Sequence, residues 1–337
     1  MKYKTVRKIK KKPIIILSII VIFIIAFISL ILYINHINKD SYKLEKIGYN
    51  KDEITLILKR NKTEINDILK KKYDKNIPLL LKEKYFLYKN LDSYLNYIKD
   101  NKSDKLTHVV SIVNVKANYD HYDEDIVKKT DTSKGILMLV NKFNYLDNTY
   151  VPNDITNIPL TYAFSDNQAT KEVLSAFKNM WQKAKSENLN LIVNSSYRDY
   201  ESQENVWNNY EARNGEEYAD SIAARPGYSE HQTGLALDII TYGANKNTFE
   251  DTDEFKWLQK NAHKYGFILR YPKDKEDITG YEYESWHYRY VGVEAATEIH
   301  NKKITYDEYS YQFQAGVFAV FYSSSYLFCG LYEEGVK

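Results

Sequence analysis

The chain has 337 residues, enough for one or two domains with cores of their own, and its 27% charged and 44% hydrophobic content is that of a folded globular protein. The net charge of +2 arises at the N-terminus: residues 1–38 hold seven of the 47 basic residues and no acidic one, which leaves 40 basic against 45 acidic residues in the rest. That mildly acidic body predicts no nucleic acid partner, and the lone Cys329 excludes an intrachain disulfide and a cysteine-built zinc site.

Lys2, Lys4, Arg7, Lys8, Lys10, Lys11 and Lys12 precede 21 uncharged residues, Ile14 to Ile34. A helix of ~20 apolar residues spans the hydrocarbon core of a bilayer, and a basic flank keeps its own side in the cytoplasm. Residues 1–12 therefore read as a cytoplasmic basic tail and 13–35 as a single transmembrane anchor in the cell membrane, with the remainder extracellular. A cleaved signal peptide would have an apolar run of ~7–15 residues ending at small residues. Tyr33-Ile34-Asn35-His36 offers no such site.

Residues 36–134 read as an extracellular spacer region. Leu44, Ile47, Ile54, Leu56, Ile57, Ile65, Ile68 and Leu69 recur at helical spacing, and Asp52 or Asn61 would cap these short helices. His108–Val115 and Gly135–Val140 read as strands, with a loop rich in Asp, Lys and Thr between them. The main domain is expected over 135–310. Within it a helix is predicted over 169–188, with Val173, Leu174, Phe177, Met180, Trp181 and Ala184 on one face. A strand is expected over Leu189–Ser196, then a helix over 199–210 and short strands at Gly234–Ile240 and Trp286–Val291. A further helix over 252–264 should close at Gly266. Helices and short strands mixed in this order indicate an α+β fold.

Two segments concentrate chemistry. Ser229-Glu230-His231-Gln232-Thr233-Gly234-Leu235-Ala236-Leu237-Asp238 and Glu284-Ser285-Trp286-His287 together supply two His, one Asp and a further carboxylate. Catalytic zinc takes three protein ligands from His and carboxylate and leaves a fourth place open. His231, Asp238 and His287 would supply that set, and Glu284 would remain as a general base. On adjacent strands Asp238 and His287 could reach one metal. Glu284 and His287 would point to opposite faces of a regular strand, so a bend or helical turn before Trp286 is required.

These segments resemble the D-alanyl-D-alanine carboxypeptidases that include the vancomycin-resistance carboxypeptidases and the L,D-carboxypeptidases of pneumococcal type. Residues 229–238 match every fixed position of that family's Ser-x-His-x-x-Gly-x-Ala-x-Asp, and 284–287 match its Glu-x-Trp-His. Ser196-Tyr197-Arg198-Asp199-Tyr200 with Gln203 resembles a third family segment, with Asp199 where Ser is usual. Ala224–Tyr228, Tyr265–Pro272 and Ile278–Tyr281 extend the likeness, which covers roughly 138–310. The resemblance implies an α+β fold with a central antiparallel sheet and flanking helices, of the hedgehog and D,D-peptidase kind. It implies one zinc ion on His231, Asp238 and His287, Glu284 as catalytic base, and Arg198, Gln203 and Ser229 as residues contacting a peptidoglycan stem peptide. Arg198 would either stabilise the oxyanion or hold the substrate's terminal carboxylate. Gln203 and Ser229 would donate hydrogen bonds to the peptide. The expected reaction is hydrolytic release of the C-terminal D-alanine, as a D,D- or an L,D-carboxypeptidase.

Two alternatives keep the fold: an endopeptidase cutting cross-bridges, and a wall-binding ectodomain without catalysis, against which the intact Glu284 argues. A serine-type wall enzyme would need Ser-x-x-Lys, Ser-x-Asn and Lys-Thr-Gly. Ser175-Ala176-Phe177-Lys178 fits the first, but Lys-Thr-Gly is absent. Residues 311–337 form an aromatic tail without an assigned role, and Cys329 gains none from it.

Overall fold

The computed structural model describes the chain over residues 11–37 and 39–314, with side chains over 20–37 and 39–311. Residues 1–10 of the basic tail and residues 315–337 of the aromatic tail, with Cys329, lie outside the described residues. Two compact units divide after Leu91.

The first unit is helical. Helix α1 (Lys11–Ile37) contains Ile20–Ile37, with a mean hydropathy of 2.6 and no residue buried. Its length and composition suit a membrane span or a signal sequence. Four short helices follow: α2 (Asp40–Ile47), α3 (Lys51–Ile57), α4 (Lys62–Ile68) and α5 (Asn76–Leu80). Of the expected apolar stripe Leu44, Ile54, Ile57, Ile65 and Ile68 are buried and Ile47, Leu56 and Leu69 half-buried, and Ile77 and Leu80 of α5 are buried as well. Asn61 caps α4, accepting from Glu64 N at 3.0 Å. The cap of α3 is Asn50, not Asp52: Asn50 and Glu53 form a reciprocal capping box, and Asp52 lies within the first turn.

The second unit runs from Asp92. After α6 (Leu91–Asp100) comes α7 (Leu106–Val115), where the sequence predicted a strand. The β-branched composition favours extended backbone only when a pleated, half-buried surface receives it. Here Val109, Val110, Ile112, Val113 and Val115 are all buried, and Ile112 and Val115 pack against Ile278. The expected strand over Gly135–Val140 is also absent. Residues Thr132–Leu137 form a short 3-10 turn broken at Gly135, where φ is 56° and ψ −126°. The Ile136 and Met138 carbonyls accept from Arg289, and the Leu139 carbonyl from Thr130 Oγ1. A neighbouring strand finds these acceptors already engaged.

Two minor ladders lead into the core: β1 (Lys128–Lys129) beside β2 (Asn144–Tyr145), and β3 (Ile155–Asn157) beside β4 (Gln168–Thr170). Then come α8 (Lys171–Ser186), β5 (Ile192–Ser195), α9 (Tyr200–Asn214), α10 (Glu216–Ile222), β6 (Ala236–Ile240), α11 (Asp253–Asn261), β7 (Phe267–Leu269), α12 (Glu276–Thr279), β8 (His287–Tyr290), α13 (Val293–Lys302) and α14 (Tyr306–Gln314). Strands β5, β6, β8 and β7 lie in that order in an antiparallel sheet, with a register shift between Val193 and Ser195. The mixed helix and sheet architecture agrees with the α+β expectation, and the strands at 192–195, 236–240 and 287–290 fall inside their predicted windows.

One face of the sheet carries the core. Helix α8 is capped by Thr170 and buries Val173, Leu174, Phe177, Met180 and Ala184, while Trp181 packs at the margin. These meet Ile192, Leu237, Ile239, Leu258 and Phe267. Burying a side chain such as Phe177 stabilises the fold by ~1.5–3 kcal/mol relative to leaving it in water. Period-two alternation on β6 sends Leu237 and Ile239 into this core and turns Asp238 to the other face.

Candidate metal centre and active site

The antiparallel pairing of β6 with β8 sets Asp238 directly opposite His287. His231 arrives from the 3-10 turn Glu230–Thr233 that leads into β6, with Ser229 as its N-cap and Gly234 left-handed at its end. The three residues are buried, and one donor atom from each lies within 4.8 Å of the others. His231 Nε2 and His287 Nδ1 both stand 3.4 Å from Asp238 Oδ1.

Hydrogen bonds behind the rings fix which nitrogen faces inward. His231 Nδ1 is 2.6 Å from the Ser196 carbonyl, which can only accept, so Nδ1 carries the hydrogen and Nε2 presents its lone pair. His287 Nε2 is 3.3 Å from Glu230 Oε2, which leaves Nδ1 facing Asp238. Asp238 Oδ2 accepts from Lys246 Nζ at 2.8 Å, whereas buried Oδ1 has no hydrogen-bond partner. An orphaned carboxylate oxygen between two imidazole lone pairs is a donor set that fits a divalent cation of zinc's preferences.

The electrostatics divide the groups. Burial lowers His231 to about 4, aided by Arg198 and opposed by Asp238. Burial acts to raise Asp238, but Lys246 and His231 overcome it and hold the carboxyl well below its usual range. Burial raises Glu284 to about 7, with His287 and Lys246 opposing and Asp238 adding to the rise. A carboxyl poised near neutrality can both take and return a proton.

Glu284 Oε2 lies 3.5 Å from His287 Nδ1, and the required bend occupies Ser285 and Trp286. Arg198 follows β5, and its Nε finds no partner. Gln203 sits in the first turn of α9, which Asp199 caps by accepting from Ser202 N at 2.8 Å. Asp199 therefore does the structural task expected of Ser there. Gln203 Nε2 donates to the Ala224 carbonyl at 2.8 Å, and its buried Oε1 is unpartnered. Ser229 Oγ accepts from His231 N at 3.3 Å and keeps its own hydrogen to give. All seven residues singled out by the sequence line one pocket.

The same pocket holds residues that the sequence did not mark for it: Lys246, Tyr271, Tyr281 and the ring of Trp286. Lys246 also lies over the Trp286 ring, 5.0 Å from its centroid. Nothing in its local sequence distinguishes it from any loop lysine. Tyr271 and Tyr281 stood inside the family-like segments, and only the packing of Tyr271 4.9 Å from His287 shows their place.

Comparison with known proteins agrees with this architecture. The profile of the VanY D-alanyl-D-alanine carboxypeptidase family matches residues 166–293. A putative carboxypeptidase of Bacillus subtilis (strain 168), YodJ, is 42% identical over 199 residues, covering 54% of this chain and 72% of that protein. The D-alanyl-D-alanine carboxypeptidase of Enterococcus faecium is 34% identical over 195 residues, 55% of this chain and 61% of its own length. Among solved structures, the LdcB LD-carboxypeptidase, described as revealing the basis of peptidoglycan recognition, aligns with a TM-score of 0.52 at 43% identity. That alignment covers 56% of this chain and 92% of LdcB. The fold and the family match are those of a hydrolase of the carboxypeptidase class. The chain belongs to the VanY D-alanyl-D-alanine carboxypeptidase family.

Proposed function

We propose that this chain is a zinc-dependent, membrane-anchored carboxypeptidase that releases the C-terminal D-alanine of peptidoglycan stem peptides on the outer side of the cell membrane. The observation that carries the reading is the convergence of His231 Nε2, Asp238 Oδ1 and His287 Nδ1 beside a carboxyl held near pH 7. A zinc ion held by these three residues would supply a nucleophile available at neutral pH and polarise the scissile carbonyl. Glu284 accepts the proton of the attacking water and delivers it to the departing amine of D-alanine. Arg198, half-buried with a buried and unpartnered Nε, offers donors to developing oxyanion charge or to the terminal carboxylate. Gln203 Oε1 accepts from a backbone N–H of the peptide, and Ser229 Oγ donates to one of its carbonyls. The anchor rests on the basic flank and on the exposed apolar helix α1.

The deciding experiment is mass spectrometry of muropeptides incubated with the zinc-loaded chain. Loss of one alanine from pentapeptide stems alone marks a D,D-carboxypeptidase, and loss from tetrapeptide stems alone an L,D-carboxypeptidase. Splitting of cross-linked dimers with no shortened stem would replace this reading with an endopeptidase. No change in any substrate would leave a binding module.

A further inference from the structure

Glu230 occupies a position inside the signature segment that neither ligand nor substrate roles employ. Its side chain has no exposed surface and is paired with the guanidiniums of both Arg270 and Arg289. Oε1 accepts from Arg270 Nε at 2.7 Å and from Arg289 Nη1 at 2.9 Å, while Oε2 faces His287 Nε2 at 3.3 Å. Arg270 in turn donates to Asp307 of α14 through Nη1 at 2.6 Å and Nη2 at 3.1 Å. Asp307 Oδ1 also accepts from Asn141 Nδ2 at 2.8 Å.

Two carboxylates against two guanidiniums leave this buried cluster neutral. Packing alone gives no reason for it, since apolar side chains of similar volume fill such a place at equal or better stability. What an apolar cluster cannot supply is a fixed acceptor behind one nitrogen of His287. A ring free to flip would present Nε2 or carbon to the pocket instead of Nδ1.

We infer that Glu230 is a positioning residue for the metal centre, holding His287 Nε2–H so that Nδ1 faces Asp238, and that Arg270 and Asp307 hold Glu230 in turn. This rests on the reading of His231, Asp238 and His287 as metal ligands. It makes α14, which lies beyond the family match ending at residue 293, part of the support of the site.

The test is the zinc dissociation constant of the full-length chain in detergent, measured by competition with a chromogenic chelator, with melting in excess chelator as the check on folding. Glu230→Gln is expected to weaken zinc binding by about 10–100-fold. Glu230→Asp keeps the charge that the arginines need but withdraws it from His287. It should melt near the wild type and still bind zinc at least tenfold more weakly, an outcome that a purely structural role for Glu230 does not give. Zinc affinity within twofold of wild type in Glu230→Asp, or in a folded Glu230→Gln, overturns the inference. If neither variant folds, Asp307→Asn decides: a several-fold rise in the dissociation constant supports the relay, and no rise refutes it. Wild type that takes up no zinc, or His231→Ala that binds like wild type, sinks the metal assignment itself and this inference with it.

Discussion

Glu284 Oε2 and His287 Nδ1 lie 3.5 Å apart with two residues between them on a segment that enters a strand. The bend at Ser285 and Trp286 turns both into one pocket, so the proposed base and a proposed ligand nitrogen lie side by side. Removing the first without disturbing the second is therefore feasible. Glu284→Gln is expected to retain zinc at wild-type stoichiometry and to lose about 10²–10⁴-fold in kcat. Metal analysis alongside a D-alanine release assay checks both halves, and a variant with near-normal turnover would show that Glu284 is not the base.

Arg198 has two candidate tasks that kinetics separate. An oxyanion partner acts only in the transition state, so Arg198→Ala would lower kcat and kcat/KM together. A grip on the substrate carboxylate acts in ground and transition states alike, so the same variant would mainly raise KM. We expect the kcat effect to dominate, because the charges of Asp238 and Glu284 act on this guanidinium and draw it toward the candidate centre. A change confined to KM would reverse the assignment.

Gly234 joins the ligand turn to β6 at φ +66°, and a Cβ there would lie 2.6 Å from Ile155 Cδ1 and 3.2 Å from Thr170 Cγ2. Gly234→Ala combines left-handed strain with a collision, and is expected to destabilise the fold by about 1–3 kcal/mol. Adding Ile155→Val removes the colliding methyl and should restore part of that loss. A double variant melting with Gly234→Ala would place the whole effect in the backbone.

Lys142 is buried, and its Nζ donates to the Asp220 carbonyl at 2.7 Å. Burial lowers its ammonium from 10.5 to about 8, with Asp220 opposing and Arg225 adding. Between those values the unfolded chain holds a proton that the folded chain lacks, so this group favours folding progressively as pH rises through the window. The unfolding free energy of wild type minus that of Lys142→Met should therefore climb by up to about 3 kcal/mol between pH 8 and pH 10.5. Urea melts at both ends measure it, and a flat difference would mean that Lys142 titrates normally.

The sequence carried the site more fully than the surrounding fold. His231, Asp238, Glu284 and His287 stood out because a metal centre would need such side chains at such spacings, and adjacent strands could bring Asp238 and His287 together. The segment His108–Val115 misled because its β-branched residues record burial, and burial on a helix and on a strand look alike over eight residues. Gly135–Val140 misled for another reason: its carbonyls are taken by Arg289, some 150 positions later, and no local pattern signals that. Lys246 escaped notice for the same cause, since only the fold brings its loop over Asp238. Glu230 stood in plain view within the signature, but its partners Arg270 and Arg289, and Asp307 behind Arg270, are scattered 40 to 77 positions downstream.

The direct opposition of Asp238 and His287 across β6 and β8 has a consequence for how this protein can vary. A strand shifted by one residue sends every side chain to the other face, so a single deletion in either strand would drive one of the pair into the apolar core beside Phe177. Spacing along these two short strands is thus protected more strictly than the chemistry of most residues within them. Insertion or loss in the loops around the pocket, where Lys246 resides, leaves the register of Asp238 and His287 intact and can reshape the pocket without moving the candidate ligands.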